Sequence, residues 1–172
     1  TSGCLVLAKS RAGLLNLQQQ MKASETDKRY LTLTKGKWAA QENIVDLALQ
    51  KNSLSSGERM VVPDINGKKS KTLFEVKQEF SGCQLVAAKL YTGRTHQIRV
   101  HLSAIGHPIV GDTLYGGVRR HVPKDLKPVQ RLERPFLHSW RLAFRHPTDG
   151  RNLVFSSPIP EDLQLILDDL GY

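Results

Sequence analysis

The sequence has few cysteines and no long apolar run. Cys4 and Cys83 are the only two cysteines in 172 residues, and neither belongs to a Cys-x-x-Cys pair. A disulfide framework and a zinc knuckle are therefore not expected, and a reducing, cytoplasmic location is the default. Both cysteines are interpreted as small core residues. No stretch reaches the roughly 18 apolar residues that a membrane span needs, so the sequence predicts no membrane partner.

The most easily recognised catalytic motifs are also missing. The chain has no Walker-type phosphate loop, no Gly-x-Gly-x-x-Gly turn, no His-Glu-x-x-His helix and no Gly-x-Ser-x-Gly elbow. These absences argue against P-loop NTPases, dinucleotide-binding domains, zincin proteases and α/β-hydrolases. His96, His101 and His107 are close in sequence, but residues five apart on a helix point about 140° from each other. Shared metal ligation is therefore disfavoured, and no metal is expected.

Positive charge is what the sequence has in excess. Hydrophobic residues make up 40% of the chain, which is typical of one globular domain. The net charge of +9 indicates a polyanionic partner. Residues 119–151 contain nine Lys or Arg against three acids. We interpret this segment as a phosphate-contacting surface, although a solvated basic loop is the alternative. The residues predicted to form the RNA surface are Arg119, Arg120, Lys124 and Lys127.

The hydrophobic pattern predicts three helices. Ser10 is a candidate N-cap for a helix whose apolar stripe is Leu14, Leu17 and Met21. A second helix is predicted for residues 95–105, and a third begins at Pro160. For the second helix, the N-cap is expected at Thr95 and the residue after the C-cap at Gly106.

Short strands separate these helices. Residues 4–8 form a continuous apolar run, which is typical of a strand buried on both faces. The further predicted strands are residues 30–34, 44–49, 58–62, 72–77, 84–91, 136–144 and 152–156. Residues 84–91, which follow the turn Ser81-Gly82, are expected to pair with residues 72–77 as a hairpin. The fold class is therefore α+β, with a large, mainly antiparallel mixed sheet and a few flanking helices.

The densest polar cluster is Gly93-Arg94-Thr95-His96-Gln97-Ile98-Arg99-Val100-His101. Cations at the start of an amphipathic helix, directly after a glycine turn, favour an anion-binding site. From the spacing alone, a polar helix start that only fixes a loop is equally compatible with the pattern.

Together with its neighbours, this cluster resembles the RluA family of RNA pseudouridine synthases. The resemblance extends from residue 91 to residue 101 and continues through Gly106-His107-Pro108-Ile109-Val110-Gly111-Asp112 and Tyr115-Gly116. Thr1-Ser2-Gly3 is similar to the end of the family's H-R-L-D-x-x-T-S-G motif, and Lys28-Arg29-Tyr30 to its K-x-Y element. Phe136-Leu137-His138-Ser139, with the later His146-Pro147, is similar to its L-H-A…H-P block. Ser56-Gly57-Glu58-Arg59-Met60-Val61 resembles the RluC branch, which modifies large-subunit ribosomal RNA. The resemblance covers nearly the whole chain.

The resemblance implies that residues 1–172 are one pseudouridine synthase catalytic domain. Its expected activity is conversion of specific uridines in large-subunit (23S) ribosomal RNA to pseudouridine, as a monomer and without a cofactor. The uridine is flipped out, its N1–C1′ bond is cleaved, and the uracil turns and rejoins the sugar through C5. The aspartate of H-R-L-D lies three residues before T-S-G, hence upstream of Thr1. The nucleophilic aspartate and any S4-like domain are therefore expected to precede this chain, which alone is expected to be inactive.

The resemblance also implies roles for individual residues. Tyr30 would stack on the uracil and could serve in proton removal from C5. Arg99 would pair with the catalytic aspartate, and Leu137 would lie beneath the uracil. Asp112 has a structural place, capping its turn. The residues implied to contact the RNA backbone are Arg94, Thr95 and His96.

Two other functions are considered beside this one. The first is a non-catalytic RNA-binding module that derives from a synthase and keeps only the basic surface. The second is a metal-dependent RNA hydrolase that uses the histidines.

Overall fold

A computed structural model describes residues 1–40, 42–53, 59–116, 129 and 132–172 of the chain. This part contains strands and three helices, numbered here in chain order. The strands are β1 Ser2–Gly3, β2 Asp27–Lys35, β3 Glu42–Asp46, β4 Leu49–Ser53, β5 Arg59–Pro63, β6 Lys71–Phe80, β7 Cys83–Leu90, β8 Leu137–Arg145 and β9 Asn152–Ser156. The helices are α1 Arg11–Lys22, α2 Gln97–Ala104 and α3 Glu161–Asp169.

A seven-stranded sheet organises the domain. Its strand order is β1-β8-β2-β7-β6-β3, with β9 also paired to β8. β1 runs parallel to β8, whereas β2, β3, β6, β7, β8 and β9 pair with one another in antiparallel fashion. β4 and β5 form a separate two-stranded ribbon. This confirms the predicted α+β class and the mainly antiparallel sheet.

The helices pack against the sheet through two clusters of buried residues. The main core cluster joins the sheet to α2 through Ile98 and Leu102, and to α3 through Leu163. A smaller cluster joins α1 to β8 through Leu17 and Leu142. Leu142 and Leu137 lie on the same face of β8 although they are five residues apart, because β8 has an extra residue opposite β2 between His138 and Arg141. None of the described helices has both the length and the apolar character needed to cross a membrane.

The predicted strand at residues 4–8 is wrong. Of the first eight residues, only Ser2 and Gly3 form a strand of the sheet. Residues 4–7 are alternately half-buried and exposed. Cys4 and Val6 pack against the small cluster between α1 and β8, whereas Leu5 and Leu7 are 82% and 80% exposed. The apolar run has a helix on one side only. A run of this kind does not reveal how many of its faces the fold covers, and this is why the interpretation failed.

The helix predictions are confirmed with shifted ends. Ser10 caps α1 by accepting a hydrogen bond from the Gly13 amide at 3.1 Å, but of the expected apolar stripe only Leu17 is buried. Helix α2 begins at Gln97, with His96 rather than Thr95 as its N-cap, and His96 has φ of +54°. Gly106, directly after the C-cap, has φ of +83°, as predicted.

Two further boundaries differ from the predictions. Pro160 is the N-cap of α3 rather than a residue of its first turn. The strand predicted at residues 44–49 is divided, because β3 ends at Asp46 and β4 begins at Leu49 in a different sheet. The predicted hairpin of β6 and β7 is confirmed.

Gly111 is expected to be indispensable for packing, whereas Gly106 is not. Gly111 has φ of +80°, and a Cβ atom there would lie 2.3 Å from the Arg134 carbonyl oxygen. Gly106 shares the left-handed backbone, but a Cβ would meet nothing within 4 Å. Gly106→Ala should lower the free energy of unfolding by about 1 kcal/mol. Gly111→Ala should lower it by about 3 kcal/mol, because overpacking adds to the backbone cost. Urea unfolding of both variants measures the difference, and equal losses would contradict it.

Candidate active site

A cavity of about 550 Å³ lies between the sheet and the start of α2. Tyr30 on β2 and Leu137 and Ser139 on β8 line it from the sheet. Residues 1–5 and residues 96–99 line it from the other sides. The cavity therefore collects four segments that are far apart in sequence, and each includes residues of the motifs quoted above.

Gly3 determines how the first residues enter this cavity. Its φ is +103°, and a Cβ atom would lie 2.1 Å from the Ser139 carbonyl oxygen. Only glycine combines that backbone conformation with so close an approach. The Cys4 amide then donates to the same Ser139 carbonyl at 2.8 Å, and the Ser2 hydroxyl is hydrogen-bonded to His138 at 3.0 Å. The Thr-Ser-Gly segment is thus fixed along β8, and Thr1 is held at the cavity wall.

Tyr30 lies on the sheet side of the cavity and packs against the main core cluster. Burial raises the pKa of its phenol, and a hydrogen bond with the Ser139 side chain partly opposes the rise. The hydroxyl therefore stays protonated at neutral pH and is available as a hydrogen-bond donor. The ring offers an apolar face suitable for a planar base.

Arg99 is held by a carboxylate within the chain. Its Nε and Nη2 atoms donate to Asp112 Oδ2 and Oδ1 at 2.7 and 2.8 Å, and the Asp112 side chain is fully buried. The hydrogen bonds with Asp112 raise the pKa of Arg99. Asp112 Oδ1 also accepts from the Leu114 and Tyr115 amides at 3.1 and 3.2 Å, which confirms its predicted capping role. Asp112 occupies one edge of the guanidinium, so the opposite edge, at Nη1, can donate to a second anion.

Tyr115 connects this ion pair to the surrounding elements. The Arg99 guanidinium lies over its ring, 4.9 Å from the centroid. Its hydroxyl accepts from the Val61 amide at 3.0 Å and is hydrogen-bonded to His96 Nδ1 at 2.9 Å. Burial, and then the Arg99 charge, lower the pKa of His96. His96 is therefore a neutral ring at neutral pH, in a left-handed backbone conformation that is uncommon for a residue with a side chain.

A buried polar network fastens α2 to β6. Gln97 Oε1 accepts from the Thr92 hydroxyl at 2.8 Å and the Arg94 amide at 2.9 Å. Its Nε2 atom donates to the Lys71 carbonyl at 3.0 Å. One turn later, the buried His101 ring is hydrogen-bonded to the Thr72 hydroxyl at 3.0 Å. A buried side-chain amide can use all four of its hydrogen-bonding positions in this way, which explains why a polar helix start lies in the core.

Two arginines meet near Thr1. Arg99 lines the cavity together with Thr1, and Arg134 is also close enough to act on a charge there. Arg134 also donates to the Ser2 hydroxyl at 3.4 Å and forms an ion pair with Asp162 on α3. Each arginine is already paired with a carboxylate, so the wall next to Thr1 offers guanidinium hydrogen-bond donors rather than a net positive charge.

Comparison with known proteins gives this arrangement a family. The model of the RNA pseudouridylate synthase family matches residues 1–104, more than half of the chain. The chain belongs to the RNA pseudouridylate synthase family. A protein of Haemophilus influenzae named ribosomal large subunit pseudouridine synthase C is 39% identical over 170 residues. The protein of the same name from Escherichia coli strain K12 is 40% identical over 171 residues. Each alignment covers 99% of this chain but only 52% and 53% of the relative, so the chain spans about half of their length.

Solved structures of the family share the fold. Human RNA pseudouridylate synthase domain containing 1 aligns with a TM-score of 0.73 and 27% identity, over 96% of this chain and 72% of that one. Human RNA pseudouridylate synthase domain containing 4 has the same TM-score at 21% identity, over 99% of this chain and 76% of that one. At that identity, the second likeness shows the fold alone.

The synthase fold brings together most of the residues that the sequence suggested. Tyr30, Arg99, Leu137, Arg94 and His96 all line the cavity. Their chemical roles stay predictions. The basic residues predicted to form the RNA surface lie outside the described residues: Arg119, Arg120, Lys124 and Lys127.

Thr95 and the clustered histidines have other positions. Thr95 lines a neighbouring hollow rather than the cavity itself. His96, His101 and His107 have separate partners, and His107 Nδ1 is hydrogen-bonded to the Lys35 carbonyl at 3.0 Å. Within the described residues, no group of three or more His, Cys, Asp or Glu side chains could hold a metal ion.

The sequence reasoning missed three residues of the site. Ser139 could have been found, because strand alternation puts it on the same face as Leu137, two residues earlier. Cys4 was interpreted as a core residue, but it is half-buried and lines the cavity. The burial of Gln97 could not be foreseen from the local sequence, since two of its four hydrogen-bond partners, Lys71 and Thr72, lie on β6.

Breaking the Arg99–Asp112 pair should cost far more stability than breaking a surface pair. Asp112→Ala would leave Arg99, whose side chain is only 18% exposed, without its partner and would also uncap the turn. We expect a loss of about 3–5 kcal/mol in the free energy of unfolding. The matched control is Glu75→Ala, which removes a pair with Lys77 between side chains 34% and 46% exposed. That loss should be no more than about 1 kcal/mol. Similar losses in the two variants would show that the buried pair is not a structural constraint.

The stability of the domain should fall as the pH drops below about 6.5. Burial lowers the pKa of His101 in the folded state, and the His96 pKa is also lowered. The unfolded chain therefore binds more protons at these positions, so stability is lost from the unfolded pKa downwards until the folded pKa is reached. His101→Gln should be less stable at pH 7.5 but should lose less further stability at pH 5.5 than the wild type. An unchanged pH slope in urea unfolding would contradict this role for His101.

Proposed function

We propose that this domain catalyses the isomerisation of specific uridines to pseudouridine in large-subunit ribosomal RNA. The observation that carries the proposal is the cavity in which Tyr30, Leu137 and Arg99 converge beside the Thr-Ser-Gly segment. The relatives that match nearly all of this chain are named as large-subunit pseudouridine synthases, which supports the RNA class. The reaction leaves the composition of the base unchanged, so it is proposed to need no cofactor.

The cavity has what a flipped uracil requires. Extruding a base from a stacked helix costs a few kcal/mol, which contacts inside the pocket must offset. Stacking on an aromatic ring contributes about 1–3 kcal/mol per base, and Tyr30 is the aromatic ring on the sheet side of this cavity. Leu137, which is 5% exposed, supplies an apolar wall. The raised pKa of Tyr30 favours the stacking and hydrogen-bonding roles over that of a free base at neutral pH.

The nucleophilic carboxylate is proposed to come from an aspartate that precedes Thr1. An extended chain advances at most about 3.6 Å per residue, so an aspartate three residues before Thr1 lies within roughly 11 Å of it. Thr1 lines the cavity, and its backbone nitrogen is in the field of Arg99 and Arg134. Arg99 has Nη1 available on the edge that faces away from Asp112. A cation in this position keeps a carboxylate ionised and orients it towards the sugar.

Tyr30→Phe tests the proposal in the protein that includes the residues before Thr1. The variant keeps the stacking ring and loses only the hydroxyl, so RNA affinity should be retained while pseudouridine formation falls by about 100-fold. Tyr91→Phe is the matched control, because the Tyr91 ring lies between Lys71 and Lys89 outside the cavity. It should retain the wild-type rate. Tritium release from 5-³H-uridine in large-subunit RNA measures turnover.

The assay also separates the alternatives. Wild-type rates in Tyr30→Phe would remove Tyr30 from the mechanism. RNA binding without any product in the wild-type protein would favour the non-catalytic module. Turnover by residues 1–172 alone would overturn the proposal of an aspartate before Thr1.

A further inference from the structure

A second hollow adjoins the candidate active site. It has a volume of about 490 Å³ and lies between the β4–β5 ribbon, the turn after β5 and the loop at residues 93–95. This volume is within the roughly 300–1,000 Å³ of small-molecule sites. Arg94 lines both this hollow and the active-site cavity, so the two are neighbours across a single side chain.

The hollow is positively charged. Three exposed cations from three different segments line it, namely Lys51 on β4, Lys68 after the turn, and Arg94. No Asp or Glu is among the described residues that line it. Asp64, in the adjoining turn, accepts a hydrogen bond from the Asn66 amide at 2.8 Å and so caps that turn. Converging cations without an opposing carboxylate favour a phosphate group.

The walls of the hollow are held in place. Arg94 Nε donates to the Lys69 carbonyl at 3.1 Å, and the Arg94 amide donates to Gln97, so the guanidinium is oriented before any ligand arrives. A Cβ atom at Gly67 would lie 2.5 Å from the Leu49 carbonyl carbon, which shows how closely the turn packs on β4. Prearranged groups lose less entropy on binding than mobile ones.

The hollow is apolar at its base and is coupled to the active site. Leu49 and Val61, both buried, line it and belong to one cluster with Tyr115. The Tyr115 hydroxyl accepts from the Val61 amide and is hydrogen-bonded to His96, while Arg99 lies over the Tyr115 ring. The Tyr115 side chain therefore fixes the hollow and the active-site cavity relative to each other. An apolar surface beneath a cationic rim suits a nucleotide, with its base below and its phosphate above.

We propose that this hollow is a second RNA subsite, which binds the nucleotide next to the flipped uridine and contacts its phosphate through Lys51, Lys68 and Arg94. The inference rests on the proposed function, since it assumes that the first cavity receives a uridine. Contacts with the neighbouring nucleotide hold the RNA strand beside the target. Their binding energy offsets the cost of flipping the uridine.

The test measures whether Lys51 and Lys68 act on one particular phosphate of the RNA. The probe is the five-nucleotide RNA AAUAA, in which each linkage in turn is replaced by a neutral methylphosphonate. Fluorescence anisotropy measures its Kd with the full protein and with the Lys51→Ala/Lys68→Ala variant. The matched control is Lys9→Ala/Lys22→Ala, which removes two exposed lysines that line neither cavity. Thermal unfolding checks that all three proteins fold.

In the wild-type protein and in the control, neutralising one linkage next to the uridine should weaken binding by about tenfold, and more than any other linkage. In the Lys51→Ala/Lys68→Ala variant the unmodified RNA should bind about tenfold more weakly, and the same methylphosphonate should cost much less than in the wild type, because only Arg94 still contacts that phosphate. A full additional loss in that variant, or equal losses at all linkages, would overturn the subsite. Pseudouridine formation by the wild-type protein is measured separately. Its absence beside intact coupling would count against the proposed function and leave the subsite standing.

Discussion

The ion pair between Arg99 and Asp112 is the constraint on which the candidate site depends. It joins α2 to the loop after that helix through two short hydrogen bonds, with the carboxylate fully buried. Neither partner can be removed alone without leaving a buried charge uncompensated. The same carboxylate caps the turn that positions Tyr115, and Tyr115 reaches both His96 and β5. One pair therefore determines the place of the cation in the cavity, the entry into α2 and the attachment of the β4–β5 ribbon.

This arrangement presents a cation that needs no reorganisation when substrate arrives. Asp112 holds one edge of the guanidinium and Tyr115 lies under its plane, so only the remaining edge is offered to the cavity. On the other side of the helix, Gln97 and His101 fasten α2 to β6 through buried hydrogen bonds. Fixed charges in a partly dry site stabilise developing charge more effectively than mobile side chains in water. Several of the buried polar groups thus orient a single helix.

The sequence indicated the strands and helices best where local rules govern them. The Ser10 cap, the Gly106 termination and the β6–β7 hairpin follow from chemistry within a few residues, and all three are confirmed. The sequence was a poorer guide where the burial of a segment depends on packing by distant parts of the chain. Residues 4–8 have the composition of a buried strand, yet Leu5 and Leu7 are exposed, because the helix that packs there covers one side only. Likewise, no local pattern distinguishes His96 from Thr95 as the N-cap of α2.

For the candidate site, the sequence by itself determined the motifs that contain Tyr30, Arg99 and Leu137, and the structure shows that all three residues line one cavity. It also determined the basic character that suits an RNA partner. Only the tertiary structure decided that Arg99 is paired with Asp112, that Ser139 contacts Tyr30, and that Arg94 separates two cavities. Each of these contacts joins segments that come together only when the sheet forms. Pair geometry and burial are therefore properties of the packed chain, which no local pattern encodes.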